Sequence, residues 1–320
     1  MQIHGPALRF GIHSGQQYAS FQECLGLWQR GEALGYDWIS LFDHARPPLG
    51  GPDGPCLEGP TLLAALAART STIRCALLVS TLTWRHPAQA AAIAATIDHI
   101  SGGRLEFGIG AGGPDLGYRQ YGIPFPNRTE RLEMLTEGCH ILRSLWTRER
   151  TDFTGRHYRL QGACLQPKPL QRRLPLVIGG ADPRHTLRIV AEHADIWNAL
   201  AGTLESYRHR CAALAEHCAA VGRNPADIRK SITFRALLAE DSRALHDRRQ
   251  AWERRHPPTS PDRREFLVLG TPEQCVERLL PYLRLGVGDF LLGARPPVDW
   301  HTVELFARQV VPALRGYAGL

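Results

Sequence analysis

The sequence predicts an α/β protein built as a closed (β/α)8 barrel. Short apolar segments alternate with amphipathic helical segments along the 320 residues, and we count eight of the apolar segments. Strands that are apolar on both faces and separated by helices form a parallel sheet covered by helices. Eight such strands favour a closed barrel over an open sheet. No linker interrupts the pattern, so we expect a single domain over residues 1–320.

The predicted strands are short runs of mainly apolar residues. Such runs are typical of strands that are buried on both faces. In chain order they are Leu8–Ile12, Asp37–Phe42, Ile73–Ser80, Arg104–Gly110, Leu174–Ile178, Asp195–Ala199, Ser231–Leu238 and Gly288–Leu292.

Helices are predicted between the strands, where apolar residues recur with helical spacing. Capping boxes begin at Ser20, Asn127 and Thr271, and Pro272 then stands at a first helical position. The predicted helices are Phe21–Leu34, Thr61–Arg69, Pro87–Ile100, Thr129–Trp146, Arg184–His193, Leu204–Val221, Pro272–Leu285 and Asp299–Arg315.

Three segments depart from the alternating pattern. Thr151–Leu160 is predicted as a small hairpin around Gly155. Glu240–Arg264, after the seventh strand, is predicted as a helical insertion followed by a loop. No helix is expected between the fourth strand and Thr129, because prolines and glycines interrupt that stretch.

Composition and charge narrow the classes of function. The 38 Lys and Arg residues against 31 Asp and Glu give a net charge of +7, which favours an anionic ligand, while no nucleic-acid motif is present. No apolar run approaches the ~18 residues of a membrane span, and the first residues do not resemble a secretory signal. The eight scattered cysteines contain no CxxC pair, so we expect no zinc cluster and no other metal site. These features predict a cytoplasmic protein with neither membrane nor nucleic-acid partners.

Chemistry in such a barrel is expected at the carboxyl ends of the strands. Asp43 and His44 follow the second strand, where a carboxylate and an imidazole can transfer a proton or stabilise a developing anion. A loop-fixing aspartate beside a surface histidine explains the same pattern equally well. His86, before Pro87, is interpreted as a helix-entry residue, and the lone His13 does not form the His-x-His pair of metal-dependent barrels.

Glycines follow the fourth and fifth strands. Gly108–Gly113 matches the dinucleotide fingerprint G-x-G-x-x-G, but the match follows the fourth strand and no helix starts within it, so we reject that interpretation. Gly179 and Gly180 precede a predicted helix, where backbone amides and the helix dipole favour a phosphate. A plain strand-to-helix turn is the alternative.

Motifs along almost the whole chain resemble the bacterial-luciferase-like superfamily, whose members are (β/α)8 barrels that bind FMN or the deazaflavin coenzyme F420. Phe42-Asp43-His44 together with Cys56-Leu57-Glu58-Gly59 is most similar to the F420-dependent branch. The other matching motifs are Arg85–Ala88, Thr96–Leu105, Gly108–Gly112, Tyr121–Pro126, Glu130–Leu132, Gly155 with Tyr158, Gln166–Pro169, Ile178–Gly180, Ala194–Asn198 and Gly270–Glu273.

The resemblance implies roles for particular residues. His44 would be the active-site histidine beside the deazaflavin ring, with Asp43 next to it as the second catalytic residue. The implied cofactor-binding residues are Val79 and Ser80 at a bulge of the third strand, Gly110, Ala111 and Gly112 along the edge of the ring, Gly179 and Gly180 at the phosphate, and Asn198 at the end of the sixth strand.

The sequence departs from the family pattern at two positions. Gly113 stands where relatives usually carry tryptophan, and Gly117 stands where they usually carry glutamate. A bulky wall and a carboxylate are therefore missing on the substrate side. The substrate could differ from the common pattern, or Asp115 could replace the carboxylate.

The resemblance implies an F420-dependent oxidoreductase that moves a hydride between C5 of the deazaflavin and a small organic substrate, acting as a homodimer. One alternative is an FMN-dependent monooxygenase on the same barrel, which would need a flavin reductase as partner. The other is a non-catalytic flavin-binding homologue, which the departures at Gly113 and Gly117 keep open.

Overall fold

The predicted barrel is confirmed. In the computed structural model, which describes residues 7–48, 53–113, 116–255 and 267–318, eight strands pair in parallel around a closed ring. The ring consists of β1 (Arg9–Ser14), β2 (Trp38–Leu41), β3 (Arg74–Thr81), β4 (Leu105–Gly110), β7 (Leu176–Gly179), β8 (Ile196–Leu200), β9 (Arg229–Leu238) and β11 (Val287–Ala294).

Three further strands lie outside the ring. β5 (Thr151–Thr154) and β6 (Arg159–Ala163) form the predicted hairpin as an antiparallel pair. β10 (Leu267–Gly270) adds to β9 in parallel. The sequence analysis does not predict β10, because four residues after a charged segment give too short an apolar run to be recognised as a strand.

Helices cover the outside of the barrel. They are α1 (Phe21–Ala33), α2 (Gly59–Ala67), α3 (Pro87–Ile100), α4 (Leu116–Gln120), α5 (Arg128–Thr147), α6 (Thr186–His193), α7 (Leu204–Ala220), α8 (Ser242–Arg255), α9 (Pro272–Arg284), α10 (Trp300–Leu305) and α11 (Val311–Ala318). The capping boxes predicted at Ser20, Asn127 and Thr271 are all formed.

Several helix predictions need correction. α4 occupies a stretch in which no helix was expected, so the prolines and glycines there only shorten the helix to five residues. The predicted terminal helix is divided by a π-helical turn at Phe306–Val310, and α6 begins two residues later than predicted. α8 confirms the helical part of the insertion, whereas the loop predicted after it, residues 256–264, lies outside the described residues.

The core has two parts, and their arrangement leaves one end of the barrel free for a site. A large apolar layer fills the space between strands and helices, while a small cluster that includes Trp38, Ala76 and Leu78 fills the barrel interior. At the end where the strands begin, Arg9 bonds to Glu106 and Asp289 at 2.5 and 2.6 Å. These buried charges close that end of the barrel, and the carboxyl ends of the strands remain for ligands.

Candidate active site

A cavity of about 860 Å³ opens at the carboxyl ends of the barrel strands, as expected for this fold. A volume of this size suits a cofactor-sized ligand. All the predicted site residues except Ser80 line the cavity: Asp43, His44, Val79, Gly110, Ala111, Gly112, Gly179, Gly180 and Asn198.

The floor of the cavity is the side chain of Val79, which projects from an irregular part of β3. The register between β3 and β4 shifts between Leu77 and Ser80, and the Leu78–Val79 peptide bond is cis. A Cβ atom at Gly179 would lie 2.7 Å from Val79 Cγ1, and one at Gly110 would lie 2.8 Å from Val79 Cγ2. Only glycine at both positions leaves room for Val79, and together the three residues form an apolar surface.

Asp43 is held firmly at the end of β2. Its carboxylate accepts hydrogen bonds from Ser80 Oγ at 2.6 Å and from Arg85 Nη1 at 2.5 Å, and Arg85 also bonds to Glu58. Burial lowers the pKa of Arg85, but the negative charges of Asp43 and Glu58 outweigh it and raise that pKa. Asp43 is therefore placed to position the loop that carries His44, and its predicted catalytic role stays a prediction.

Ser80 is placed differently from the other predicted cofactor-binding residues, because it is not among those that line the cavity. Its side chain is buried behind the cavity wall and its hydroxyl donates to Asp43, so it does not face a ligand directly. The bulge turns Val79 toward the cavity and Ser80 away from it. Successive side chains of a strand point to opposite faces, but a strand irregularity changes which of them point inward, so the sequence alone could not say which of the two residues faces the cavity.

His44 lies at the mouth of the cavity, with its ring edge-to-face against Phe42 at 5.4 Å. His13, at the end of β1, contacts Ser40 Oγ through Nδ1 at 2.9 Å. Removal from water, together with the nearby His44, lowers the pKa of His13 to about 4. His13 is thus neutral near pH 7, and the exposed imidazole at the mouth is that of His44.

His86 has the structural role that the sequence analysis favoured. It is the N-cap of α3, and its Nδ1 accepts a hydrogen bond from the backbone amide of Ala88 at 3.2 Å. It is absent from the residues that line the cavity.

The turn after β7 is built differently from the predicted phosphate site. The Gly180 amide donates to the Asn198 carbonyl at 3.1 Å, and the Asp182 carboxylate accepts from the amides of His185 and Thr186 at 2.7 and 3.3 Å. Burial raises the pKa of Asp182, but these hydrogen bonds and the charge of Arg128 lower it overall. The amides at the start of α6 are therefore occupied by Asp182, and Gly179 and Gly180 contribute space rather than donors.

A different group of donors lies at the start of α7. Thr203, Ser206 and Arg210 line the same cavity. Thr203 Oγ1 caps α7 by accepting from the Ser206 amide at 3.2 Å, and Arg210 Nη1 lies 3.5 Å from the Leu200 carbonyl. A guanidinium beside two hydroxyls gives this end of the cavity groups that can bind an anion.

Asn198 offers an oriented amide to the cavity. Its Nδ2 donates to Ser231 Oγ at 2.9 Å and to Thr233 Oγ1 at 3.2 Å. Because both amide hydrogens are used on neighbouring strands, its Oδ1 is the atom left to accept a hydrogen bond. The predicted assignment of Asn198 to the cavity thus has a clear structural basis.

Comparison with known proteins identifies the family. The family model described as luciferase-like monooxygenase matches residues 5–264. The chain belongs to this family. A curated relative, the F420-dependent glucose-6-phosphate dehydrogenase of Microbacterium testaceum (strain StLB037), is 26% identical over 335 residues, covering 96% of this chain and 98% of its own.

Solved structures of similar fold include other luciferase-like barrels. An F420-dependent secondary alcohol dehydrogenase, solved with an F420–acetone adduct, superposes with a TM-score of 0.81 at 18% identity, covering 97% of this chain and 99% of its own. The coenzyme F420-dependent tetrahydromethanopterin reductase from Methanopyrus kandleri gives a TM-score of 0.80 at 19% identity, with 97% and 100% covered. At these identities the structural likeness concerns the fold.

Over the described ranges, no helix is long and apolar enough to cross a membrane. Within the same residues, no group of three or more His, Cys, Asp or Glu side chains is arranged to hold a metal ion.

Proposed function

We propose that this protein is an F420-dependent oxidoreductase. The observation that carries the proposal is the apolar floor of Val79 over Gly110 and Gly179, with His44 at the rim of the same cavity. A flat ring can rest on the side chain of Val79. Val79 keeps this position because neither glycine has a Cβ that would displace it. The curated relatives named F420-dependent dehydrogenases, similar over nearly the whole chain, support this cofactor over FMN.

F420, when bound, supplies a deazaflavin ring whose C5 gives or accepts a hydride and which does not readily form a hydroperoxide with oxygen. Val79 would support the ring from below, and Gly110, Ala111 and Gly112 would border it. Asn198 would accept a hydrogen bond from a ring N–H through Oδ1. His44 would stabilise the charge that develops on the ring, or hold the proton that accompanies the hydride, while Asp43 and Arg85 fix the position of its loop.

The anionic part of the cofactor would lie toward α7. Arg210, Thr203 and Ser206 provide a positive charge and hydroxyls there, whereas the amides at the start of α6 are taken by Asp182. The net charge of +7 further favours an acidic ligand. From the sequence, the phosphate was expected at Gly179 and Gly180. We now propose that these glycines leave space for it and that Arg210 binds it.

The partners follow from the same proposal. The substrate is a small organic molecule, and no reductase partner is needed because F420 exchanges hydride directly with it. The homodimer, the cytoplasmic location, the single domain and the lack of nucleic-acid partners stay predictions. Light scattering after size exclusion, together with cell fractionation, tests the first two.

Anaerobic turnover tests the proposal. With reduced F420 and a panel of ketones and aldehydes, or with oxidised F420 and the matching alcohols, we expect deazaflavin absorbance to change without oxygen. The parallel assay supplies reduced FMN and follows oxygen consumption. Substrate-dependent oxygen uptake with FMN, together with no reaction of F420, would instead assign the protein to the monooxygenases. No redox reaction with either cofactor would favour a flavin-binding protein without catalysis.

A further inference from the structure

The cavity has an aromatic wall, which is formed by Trp84 and Tyr118. Neither residue has a role in the function proposed above. Trp84 follows β3 and Tyr118 lies on α4, and both line the cavity. Their ring centroids are 4.5 Å apart and their planes are inclined by 32°. Tyr118 is only 2% exposed, whereas Trp84 is half-buried, so Trp84 provides most of the ring surface that a ligand can reach.

The aromatic wall is held rigid from behind. The ring of Phe125 lies 4.6 Å from that of Tyr118, and the guanidinium of Arg131 lies 4.1 Å from the centre of the Phe125 ring. Arg131 in turn donates from Nε to the Ala111 carbonyl at 3.0 Å. A wall fixed in this way loses little conformational entropy when a ligand stacks on it.

The polar groups near the aromatic wall are already bonded to one another. The Tyr118 hydroxyl lies 2.5 Å from Thr83 Oγ1, which lies 3.0 Å from Thr81 Oγ1. Arg131 donates from Nη1 to the Pro126 carbonyl at 2.7 Å, in addition to its bond to Ala111. A phosphorylated sugar needs a cation for its phosphate and several partners for its hydroxyls. The surroundings of this wall are committed to internal contacts instead.

Space for a ring is present beside the wall. Gly113 lines the cavity, and a Cβ built there would meet no atom of the described residues within 4 Å. This is the position at which the family resemblance predicts a tryptophan. A bulky substrate group can therefore occupy the volume that a side chain would otherwise fill.

We propose that Trp84 selects a substrate with a flat, conjugated and uncharged ring system next to the carbon that exchanges the hydride. The inference rests on the proposed function, because the ring would lie against Trp84 while its reacting carbon meets the cofactor above Val79. Stacking on an indole is favourable for a flat π system. The guanidinium of Arg131, which lies behind the wall, is already bonded to the carbonyls of Ala111 and Pro126.

Equilibrium binding to wild type and variants tests this inference, with 1-acetonaphthone as a flat uncharged ketone and glucose 6-phosphate as a charged sugar. Calorimetric titrations are made with and without F420. Trp84→Ala removes the stacking surface, and Trp84→Phe keeps a smaller one. Tyr121→Ala is the matched control, because Tyr121 is 60% exposed, lies 6.2 Å from the Trp84 ring and is not among the lining residues.

We expect 1-acetonaphthone to bind the wild type more tightly than glucose 6-phosphate. Trp84→Ala should weaken acetonaphthone binding about tenfold, Trp84→Phe only a few-fold and Tyr121→Ala not at all, while F420 affinity stays within about twofold. Tighter binding of glucose 6-phosphate, or an unchanged acetonaphthone affinity in folded Trp84→Ala, would overturn the inference. If Trp84→Ala does not fold, Trp84→Leu replaces it with the same expected loss. Failure of F420 to bind the wild type would refute the proposed function instead, and the titrations without F420 would still decide the role of Trp84.

Discussion

Two glycines determine how closely the cavity floor can approach a ligand. Gly110 and Gly179 lie on different strands, yet a Cβ at either would come within 2.8 Å of the same valine. The position of Val79 therefore requires that both residues lack a side chain. The binding of any ring that rests on Val79 has the same requirement. Substitutions at these glycines separate the contribution of the floor from that of His44.

We expect Gly179→Ala to weaken F420 binding about tenfold, because displacing Val79 costs about 1–3 kcal/mol of strain. Gly113→Ala is the matched control, since no atom of the described residues lies within 4 Å of its new methyl group. Fluorescence titration with F420 measures both. Equal affinities for the two variants would remove Val79 from the cofactor site.

His44 is expected to act on the reaction rather than on cofactor binding. His44→Ala should lower turnover by ~10²-fold or more, while F420 affinity changes far less. His86→Asn serves as control, because asparagine can keep the N-cap of α3. Steady-state kinetics with the substrate found in the anaerobic assay test this. Turnover like that of the wild type would leave His44 as a loop residue.

The sequence predicted the location of a residue correctly where the end of a strand determines it. It did not predict the hydrogen bonds that depend on side-chain conformation. His44, Asn198 and the glycines lie where the strand pattern places them. The bond between Ser80 and Asp43 and the capture of the α6 amides by Asp182 depend on rotamers and on one strand bulge. Spacing in a sequence contains no information about such pairings.

At the level of elements, α5 and α6 meet through a pair of histidines. The rings of His140 and His193 lie 4.5 Å apart, and His193 Nε2 is buried without a hydrogen bond. Burial, together with the nearby His140, Arg143 and Arg223, lowers the pKa of His193 to about 4. The nearby negative group is Glu192, whose Oε2 lies 3.5 Å from His193 Nε2. The folded protein thus holds His193 neutral at a pH where the unfolded chain protonates it.

This difference predicts acid sensitivity. Between the ordinary histidine pKa of 6.5 and about 4, the unfolded state binds the extra proton, so stability falls as the pH falls through this window. His193→Gln should flatten the dependence by up to about 1.4 kcal/mol per pH unit. Part of the dependence should persist, since the pKa of His13 is also lowered. Urea unfolding at several pH values measures the effect, with the exposed His209→Gln as control. An unchanged slope in His193→Gln would show that the contact opens on protonation.

Elements were predictable from sequence in proportion to their length and pattern. The eight barrel strands and the helices with capping boxes were expected, because burial on both faces and capping chemistry leave local signals. α4 and β10 were not, since each is short and gains its stability from neighbours: α4 through the stacking of Tyr118 between Trp84 and Phe125, and β10 through pairing with β9.

At the level of the whole molecule, the barrel separates stability from function at its two ends. The closed end contains a buried network in which Arg9 and Arg74 bond to Glu106, and Arg9 and Arg229 bond to Asp289. The open end contains the cavity. This division predicts that charge substitutions at the closed end affect folding and leave cofactor binding intact.

Glu106→Gln leaves two arginines without their shared carboxylate, so we expect it to destabilise the protein by about 3–5 kcal/mol. Glu304→Gln breaks a partly exposed pair with Arg30 and should cost about 1 kcal/mol or less. Guanidinium unfolding compares the two, and F420 affinity of the folded variants should match the wild type. A loss of F420 affinity in folded Glu106→Gln would show that the two ends are coupled.

Equilibrium binding of F420 against FMN tests the central claim most directly. Both cofactors would be titrated into the same preparation of the full chain, with Arg210→Gln titrated in parallel. The account predicts tighter binding of F420 than of FMN, and a loss of several-fold or more in F420 affinity when Arg210 is replaced. Tighter binding of FMN, or binding of neither cofactor, would contradict it.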